Sequence, residues 1–174
     1  MAKIAYTKLA LAPNKDIKSF EFNGQTIEVI QYIPLEKKLE VLSNIINNSG
    51  DDKGFYNKAK IEFNIILEIV FNYTNITFTE KQKADRMKLY DALVGSGFWN
   101  YVRQVLPNDE WEWYNRMTYF TIDKIYEYRN SVYGILDAMV TDYDTLNLDA
   151  TKIRDTIANP DNLNLVRDVL KKLG

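Results

Sequence analysis

The chain has 174 residues, a formal net charge of −2 and 46% hydrophobic residues. This length and composition predict a single domain over residues 1–174 with a buried core. The sequence contains no Cys and no His, which excludes disulfides, thiolate nucleophiles, imidazole bases and the usual zinc sites. A chain with a slight negative charge lacks the basic field that holds a phosphate backbone, so a nucleic-acid partner is not expected.

The apolar stretches predict neither a signal peptide nor a membrane span. The lysines of residues 1–8 are followed by a short apolar stretch that ends at Pro13, without the long apolar region of a signal peptide. The most apolar segment, Ile61 to Tyr73, is interrupted by Glu62, Asn64 and Glu68. It is too short to cross a bilayer and is predicted to be a buried helix.

A β-hairpin is predicted over residues 17–33, preceded by residues 1–16 as an arm or an edge strand. Asn23-Gly24 is the preferred type I′ turn pair, because both positions need a positive φ. A two-residue turn sets the register as the pairs Phe22–Gln25, Phe20–Ile27 and Lys18–Val29. The apolar side chains then share one face, which must be covered by helices of this chain or by another chain.

From residue 34 onward the apolar residues recur at helical spacing, and a mainly α fold of about six helices is predicted for residues 34–174. The second helix, Phe55 to Tyr73, is apolar over much of its circumference and is expected at the centre of the core. Thr79 and Gln82 have the spacing of a capping box, which predicts that a third helix begins there and ends at residues 95–97. A short fourth helix follows.

The longest predicted helix runs from about Asp109 to Leu146. Its apolar residues follow alternating steps of three and four from Trp111 to Tyr143, so one uninterrupted helix is expected unless Gly134 bends it. Two short helices, opened by Asp149 and by Asn159-Pro160, are predicted to complete the body.

No motif predicts catalysis, a cofactor or a metal. Gly95-Ser96-Gly97 lacks the Gly-Lys-Ser/Thr ending of a phosphate-binding loop. The run that begins at Asp142 departs from a calcium loop at its fifth, sixth and twelfth positions. Glu62 and Glu68 are interpreted as surface acids. We therefore expect no enzymatic activity and no small-molecule substrate, with an enzyme that uses only carboxylates, Tyr, Lys or Arg kept as an alternative hypothesis.

Aromatic residues supply most of the predicted partner-binding positions. A dense aromatic group between residues 98 and 114 is suited either to a core or to an interface. Trp111 and Tyr114 share the inward face of the predicted helix and Trp113 does not, so Trp113 is the better interface candidate. Arg129, in mid-helix beside apolar positions, is suited to hold a buried polar contact or a partner carboxylate, and an exposed arginine is the simpler interpretation. The predicted partner-binding set is Phe20, Phe22, Ile27, Val29, Trp99, Trp113 and Arg129.

Two stretches carry a resemblance to a known family, residues 22–34 (FNGQTIEVIQYIP) and residues 125–136 (IYEYRNSVYGIL). They resemble small proteins of the virion-assembly gene clusters of tailed bacteriophages, in particular tail-assembly-chaperone-like proteins. The resemblance implies a helical body without catalytic residues that binds tail components such as tape-measure and tube proteins. It implies no site residues, because the family has no chemical motif to match.

The expected function is a non-enzymatic, protein-binding component of tailed-phage assembly, either a tail assembly chaperone or a virion accessory protein. The expected partners are other phage structural or assembly proteins, or a second copy of the chain, with no nucleic acid and no membrane. The expected location is the cytoplasm of the bacterial host, with incorporation into the virion as an alternative. A phage-encoded inhibitor of a bacterial defence system is the second hypothesis, since an acidic protein without a chemical site fits it equally well.

Overall fold

The computed structural model describes residues 3–51 and 53–145. Within these residues, seven α-helices follow a two-stranded antiparallel hairpin, which confirms the mainly α fold. The chain divides into two compact units, Met1–Ile125 and Tyr126–Gly174, while the expected single domain stays a prediction. The two short helices predicted after residue 148 lie outside the described residues.

The described elements begin with an arm and the hairpin. Residues 3–16 contain a 3-10 turn at Tyr6–Leu9 and no strand. Of the two predictions for this segment, an arm or an edge strand, the structure shows an arm. The strands are β1 (Ile17–Phe22) and β2 (Gln25–Ile30). The helices are α1 (Leu35–Ser49), α2 (Lys58–Tyr73), α3 (Glu80–Ala84), α4 (Arg86–Gly95), α5 (Phe98–Val105), α6 (Asn108–Arg129) and α7 (Val132–Thr145).

The hairpin has the predicted register, with the pairs Phe22–Gln25, Phe20–Ile27 and Lys18–Val29. Its turn residues Asn23 and Gly24 have φ angles of 49° and 74°. A type I′ turn requires positive φ at both positions, and its twist matches that of the strands it joins. The Asn-Gly pair therefore determines which side chains of the hairpin face the helices.

The core of the first unit is centred on α2, as predicted. Seven consecutive residues of this helix, Asn64–Val70, are buried. Helix α1 packs along α2, and its Val41 and Ile45 are fully buried. The helix begins at Lys58 and not at Phe55, because the side chain of Asn57 accepts hydrogen bonds from the backbone N–H groups of the first turn. Such a cap satisfies donors that have no partner within the helix.

The third predicted helix is two helices, α3 and α4. The capping box is confirmed, since Thr79 and Gln82 exchange side-chain and backbone hydrogen bonds at the start of α3. The break falls at Asp85, which has φ −90° and ψ 63°. Directly after it, the guanidinium of Arg86 bonds to side chains of α2. Because Arg86 contacts a helix that is distant in sequence, the spacing of apolar residues within the segment does not indicate the break.

The prediction of one helix from Asp109 to Leu146 is wrong in its extent. The long helix α6 has 22 residues and ends at Arg129, and α7 begins at Val132. The hydroxyl of Ser131 donates to the carbonyl of Tyr128 at 2.6 Å and accepts the backbone N–H of Gly134 at 3.1 Å. Serine competes in this way with the helical ladder and favours helix ends. The break is therefore at residues 130–131.

Gly134 permits this break through a close approach of two backbones. A Cβ atom at residue 134 would lie 2.1 Å from the carbonyl oxygen of Tyr128. We expect Gly134→Ala to lower the free energy of unfolding of the second unit by about 1–3 kcal/mol, because the backbone must shift to admit the methyl group. Chemical denaturation followed by far-UV circular dichroism measures this change.

The matched control for this prediction is Gly95→Ala at the end of α4. A Cβ atom at residue 95 meets nothing within 4 Å. Its substitution should leave stability unchanged or raise it by up to about 1 kcal/mol, because alanine favours the helix. Equal free energies of unfolding for the two variants would contradict the close approach at Gly134.

Candidate functional site

The apolar face of the hairpin is covered by α5 of the same chain. The rings of Phe20 and Phe22 lie 5.0–5.7 Å from aromatic rings of α5, which belong to Phe98 and Tyr101. Ile27 and Val29 are buried beneath them. The sequence allowed this face to be covered either by helices of the same chain or by another chain, and the structure shows a helix of the same chain. Ile27 and Val29 are consequently core residues, and Phe20 and Phe22 keep only partial exposure.

The outer edge of β2 is closed by Asn75. The backbone N–H of Asn75 donates to the carbonyl of Glu28 at 3.2 Å, and the backbone N–H of Glu28 donates to Oδ1 of Asn75 at 3.1 Å. The side-chain amide of Asn75 also donates to the carbonyl of Thr26 at 3.5 Å. One residue thus takes the place of a third strand, and β2 offers no free edge there.

The outer edge of β1 is open in the part of the chain that the structure describes. In a hairpin with a two-residue turn, the hydrogen-bonded pairs are those of Phe22, Phe20 and Lys18 with β2. The backbone groups of Ile17, Ser19 and Glu21 therefore point away from β2. No backbone hydrogen bond from another described element reaches them, so β1 presents a row of unpaired donors and acceptors.

The arm that leads into this open edge exposes large apolar side chains. Ile4, Tyr6, Leu9 and Leu11 are between 50% and 72% exposed, within eight residues of sequence. Single exposed apolar residues are common, but a contiguous run of them marks an interaction site or an aggregation hazard. The arm and the edge of β1 form one continuous segment, which is able to add strands to a neighbour.

The tryptophans of α5 and α6 are half-buried. Trp99 packs on Trp111 with ring centroids 5.5 Å apart, and the Arg103 guanidinium lies 5.3 Å from the Trp111 ring. Trp113 packs edge-on against Tyr114 at 5.0 Å. Tyr114 is fully buried, as its position on the inward face predicts. Both Trp99 and Trp113 keep part of their surface exposed, and their role in binding a partner stays a prediction.

Arg129 lies at the C-terminal end of α6, so its predicted mid-helix position is wrong. The residue is exposed. A cation in the last turn of a helix interacts favourably with the negative end of the helix dipole. A role of Arg129 in binding a partner stays a prediction.

A buried ion pair, which sequence reasoning did not find, joins α1 to α6. Lys38 Nζ lies 2.6 Å from Glu110 Oε1, and the two side chains are only 9% and 8% exposed. The second oxygen of Glu110 accepts a hydrogen bond from the hydroxyl of Tyr73, and the hydroxyl of Tyr114 lies 3.4 Å from that of Tyr73. The ammonium of Lys38 also lies 4.6 Å from the ring centre of Tyr32. Each charge is thus compensated.

The two tyrosines of this network resist ionisation. Burial raises the pKa of Tyr73 well above its ordinary value, and the hydrogen bond to the Glu110 carboxylate raises it further. Burial likewise raises the pKa of Tyr114. Strongly shifted groups are frequent in catalytic sites, but structural networks shift pKa values too. Here both hydroxyls lie in the core, where that of Tyr73 bonds to Glu110 and lies within 3.4 Å of that of Tyr114.

A second network corrects the interpretation of Glu68 as a surface acid. Glu68 is buried and accepts a hydrogen bond from Arg86 at 2.9 Å, while Glu62 is exposed as expected. Arg86 also donates to Asn64 at 2.7 Å. Glu68 and Arg86 line a cleft of about 490 Å³, but they are paired with each other. Among the described residues, no group of three or more acidic side chains is placed to hold a metal ion.

Comparisons of the chain with protein-family models, with curated proteins and with solved structures find no match. Across the described residues, none of the helices combines the length and the apolar character that a bilayer span requires. Function is therefore inferred from the surfaces of the chain itself. The surface that stands apart from the rest of the first unit is the apolar arm with the open edge of β1.

Proposed function

We propose that this protein is a non-enzymatic, protein-binding component of tailed-phage assembly, a tail assembly chaperone or a virion accessory protein. The observation that carries the proposal is the arm of residues 3–16, whose four large apolar side chains are at least half exposed. The resemblance of residues 22–34 and 125–136 to tail-assembly-chaperone-like proteins supports the phage context. The proposed location is the cytoplasm of the bacterial host.

The energetics of the arm fit reversible binding. Full burial of a large apolar side chain contributes about 1.5–3 kcal/mol, so four of them offer about 6–12 kcal/mol. Ordering the arm and the loss of translational freedom on association offset much of this gain. The remaining affinity suits a partner that is held during assembly and then released.

The proposal predicts that genes for tape-measure and tail-tube proteins lie beside the gene of this chain, and the test is co-purification with their products. The wild-type protein is expected to retain at least one of them. Leu9→Asp with Leu11→Asp should weaken that binding about a hundredfold, since two buried apolar contacts are replaced by desolvated charges. Isothermal titration of the purified pair measures the affinity.

The control variant is Leu39→Asp, which places the same charge on an exposed leucine of α1, outside the arm. Its affinity should equal that of the wild-type protein. If the wild-type chain retains neither tail protein, or if the arm variant binds as tightly as the control, the proposal fails.

A further inference from the structure

An apolar groove lies at the turn end of the hairpin. It has a volume of about 500 Å³ and is lined chiefly by apolar side chains of the hairpin, of the segment after α2, and of α4 and α5. These side chains are Phe22, Ile27, Ile76, Phe78, Leu93 and Phe98. The groove is of the right chemistry for the exposed side chains of the arm.

The arm of the same copy leaves β1 at the other end of the strand. It joins β1 at Ile17, whereas the groove begins at Phe22. A strand of six residues spans about 20 Å. The arm therefore departs from its own hairpin at the end remote from its own groove.

Antiparallel pairing of two β1 strands brings each arm to the other groove. A two-fold axis at Ser19 pairs Ser19 with Ser19 of the partner subunit and Ile17 with Glu21 of the partner subunit. This register uses the outward-facing backbone groups of all three positions in both copies. Residues before Ile17 then run past the turn of the other hairpin, where its groove begins.

Charge favours the same arrangement. The arm carries three lysines, Lys3, Lys8 and Lys15, and one aspartate, Asp16, while residues 17–174 hold 19 basic and 23 acidic residues. Glu21 bonds to Thr26, which lines the groove. A basic apolar arm is thus attracted to the acidic body of a second copy and not to another arm.

We propose that two copies of this chain pair through their β1 edges and exchange arms, so that each arm covers the apolar groove of the other copy. This inference rests on the proposed role of the arm as a binding segment, and it names a second copy as the occupant of the arm in the absence of a tail protein. The open strand edge and the exposed arm are then covered by one symmetric contact.

The first test is the oligomeric state of the full chain by sedimentation equilibrium, without any tail protein. The wild-type protein should be a dimer, and Ser19→Pro should raise the dimer dissociation constant at least about tenfold, because it removes an N–H donor from each copy. The N–H of Ser19 points away from β2, so the hairpin ladder is retained. Ser19→Thr keeps the donor and is the matched control.

Two outcomes overturn pairing through β1. One is a wild-type chain that is monomeric up to a concentration on the order of 100 μM. The other is a folded Ser19→Pro variant that dimerises as tightly as Ser19→Thr. If Ser19→Pro does not fold, Leu9→Asp with Leu11→Asp replaces it, and unchanged dimerisation of that variant relative to Leu39→Asp overturns the arm contact.

The second test separates arm exchange from an arm folded onto its own groove. The chain has no cysteine, so Leu9→Cys in one tagged copy and Ser96→Cys, beside the groove, in a second copy are unique thiols. A short thiol crosslinker should join the two tags, while Asn47→Cys on α1 in place of Ser96→Cys should not. A doubly substituted chain that crosslinks only within itself overturns the exchange.

These results remain distinct from those for tail-protein binding. A monomeric chain that still retains a tail protein removes the arm exchange and leaves the proposed function standing. A dimer with exchanged arms that retains neither tail protein removes the proposed function and leaves the arm exchange standing.

Discussion

Replacing Glu110 by Gln is expected to lower the free energy of unfolding of the first unit by about 3–5 kcal/mol. The substitution keeps the shape of the side chain but leaves the ammonium of Lys38 buried without its counter-ion, 2.6 Å from the vacated carboxylate position. It also weakens the acceptor of the Tyr73 hydroxyl. A buried charge that loses its partner bears its full desolvation cost, which is why removal of one member is so much worse than removal of both.

Urea denaturation of three variants separates the buried pair from a general charge effect. Glu40→Gln removes an exposed ion-pair partner of Lys37 and should cost less than about 1 kcal/mol. Glu110→Gln combined with Lys38→Met should recover part of the loss, because no charge is then left unpaired. A loss for Glu110→Gln no larger than that for Glu40→Gln would contradict the compensated network.

The second large effect is a steep loss of stability in alkali. Burial holds the pKa values of Tyr73 and Tyr114 above the ordinary value in the folded chain, while in the unfolded chain both ionise near pH 10. Stability from these groups is fully present below pH 10 and falls as the pH rises toward the folded pKa values, because only the unfolded chain releases the protons. Two such groups lower the free energy of unfolding by about 3 kcal/mol per pH unit above that point.

Free energies of unfolding at several values between pH 9 and pH 11.5 check the sign and the slope. Tyr73→Phe should remove about half of the tyrosine-dependent slope, since one of the two buried hydroxyls is gone. Tyr101→Phe keeps an exposed ring on α5 and should show the slope of the wild-type chain. All other titratable groups are the same in every variant, so the difference between variants isolates Tyr73. A slope for Tyr73→Phe equal to that for Tyr101→Phe would refute the assignment.

Local chemistry explains the elements that the sequence predicts correctly. Asn23-Gly24 selects a two-residue turn, and the turn alone decides the register of the hairpin. Thr79 and Gln82 are close enough in sequence to form their capping box without help from the rest of the chain. The apolar character of α2 over much of its circumference identifies the centre of the core, because so wide an apolar surface must be buried.

The spacing of apolar residues misses the helix break at Asp85, and it indicates the break at residues 130–131 only through the bend that Gly134 is expected to allow. The turn at Asp85 accompanies the bonds of Arg86 to α2, and the turn at residues 130–131 needs the close approach of Tyr128 and Gly134. In both regions the apolar spacing continues through the break. Spacing measures the preference of a segment for a helix, and it does not register a competing side-chain contact.

Of the candidate binding surface, the sequence by itself determined the apolar and basic character of the arm, the hairpin that follows it and the mainly α body. Only the tertiary structure decided which hairpin edge is open, because closure of β2 comes from Asn75, 47 residues after Glu28. It likewise turned Ile27 and Val29 into core, since the face that they share with Phe20 and Phe22 is buried against the rest of the first unit. The pairing of Lys38 with Glu110 across 72 residues has no local signal, because two charges reveal a shared burial only when the chain brings them together.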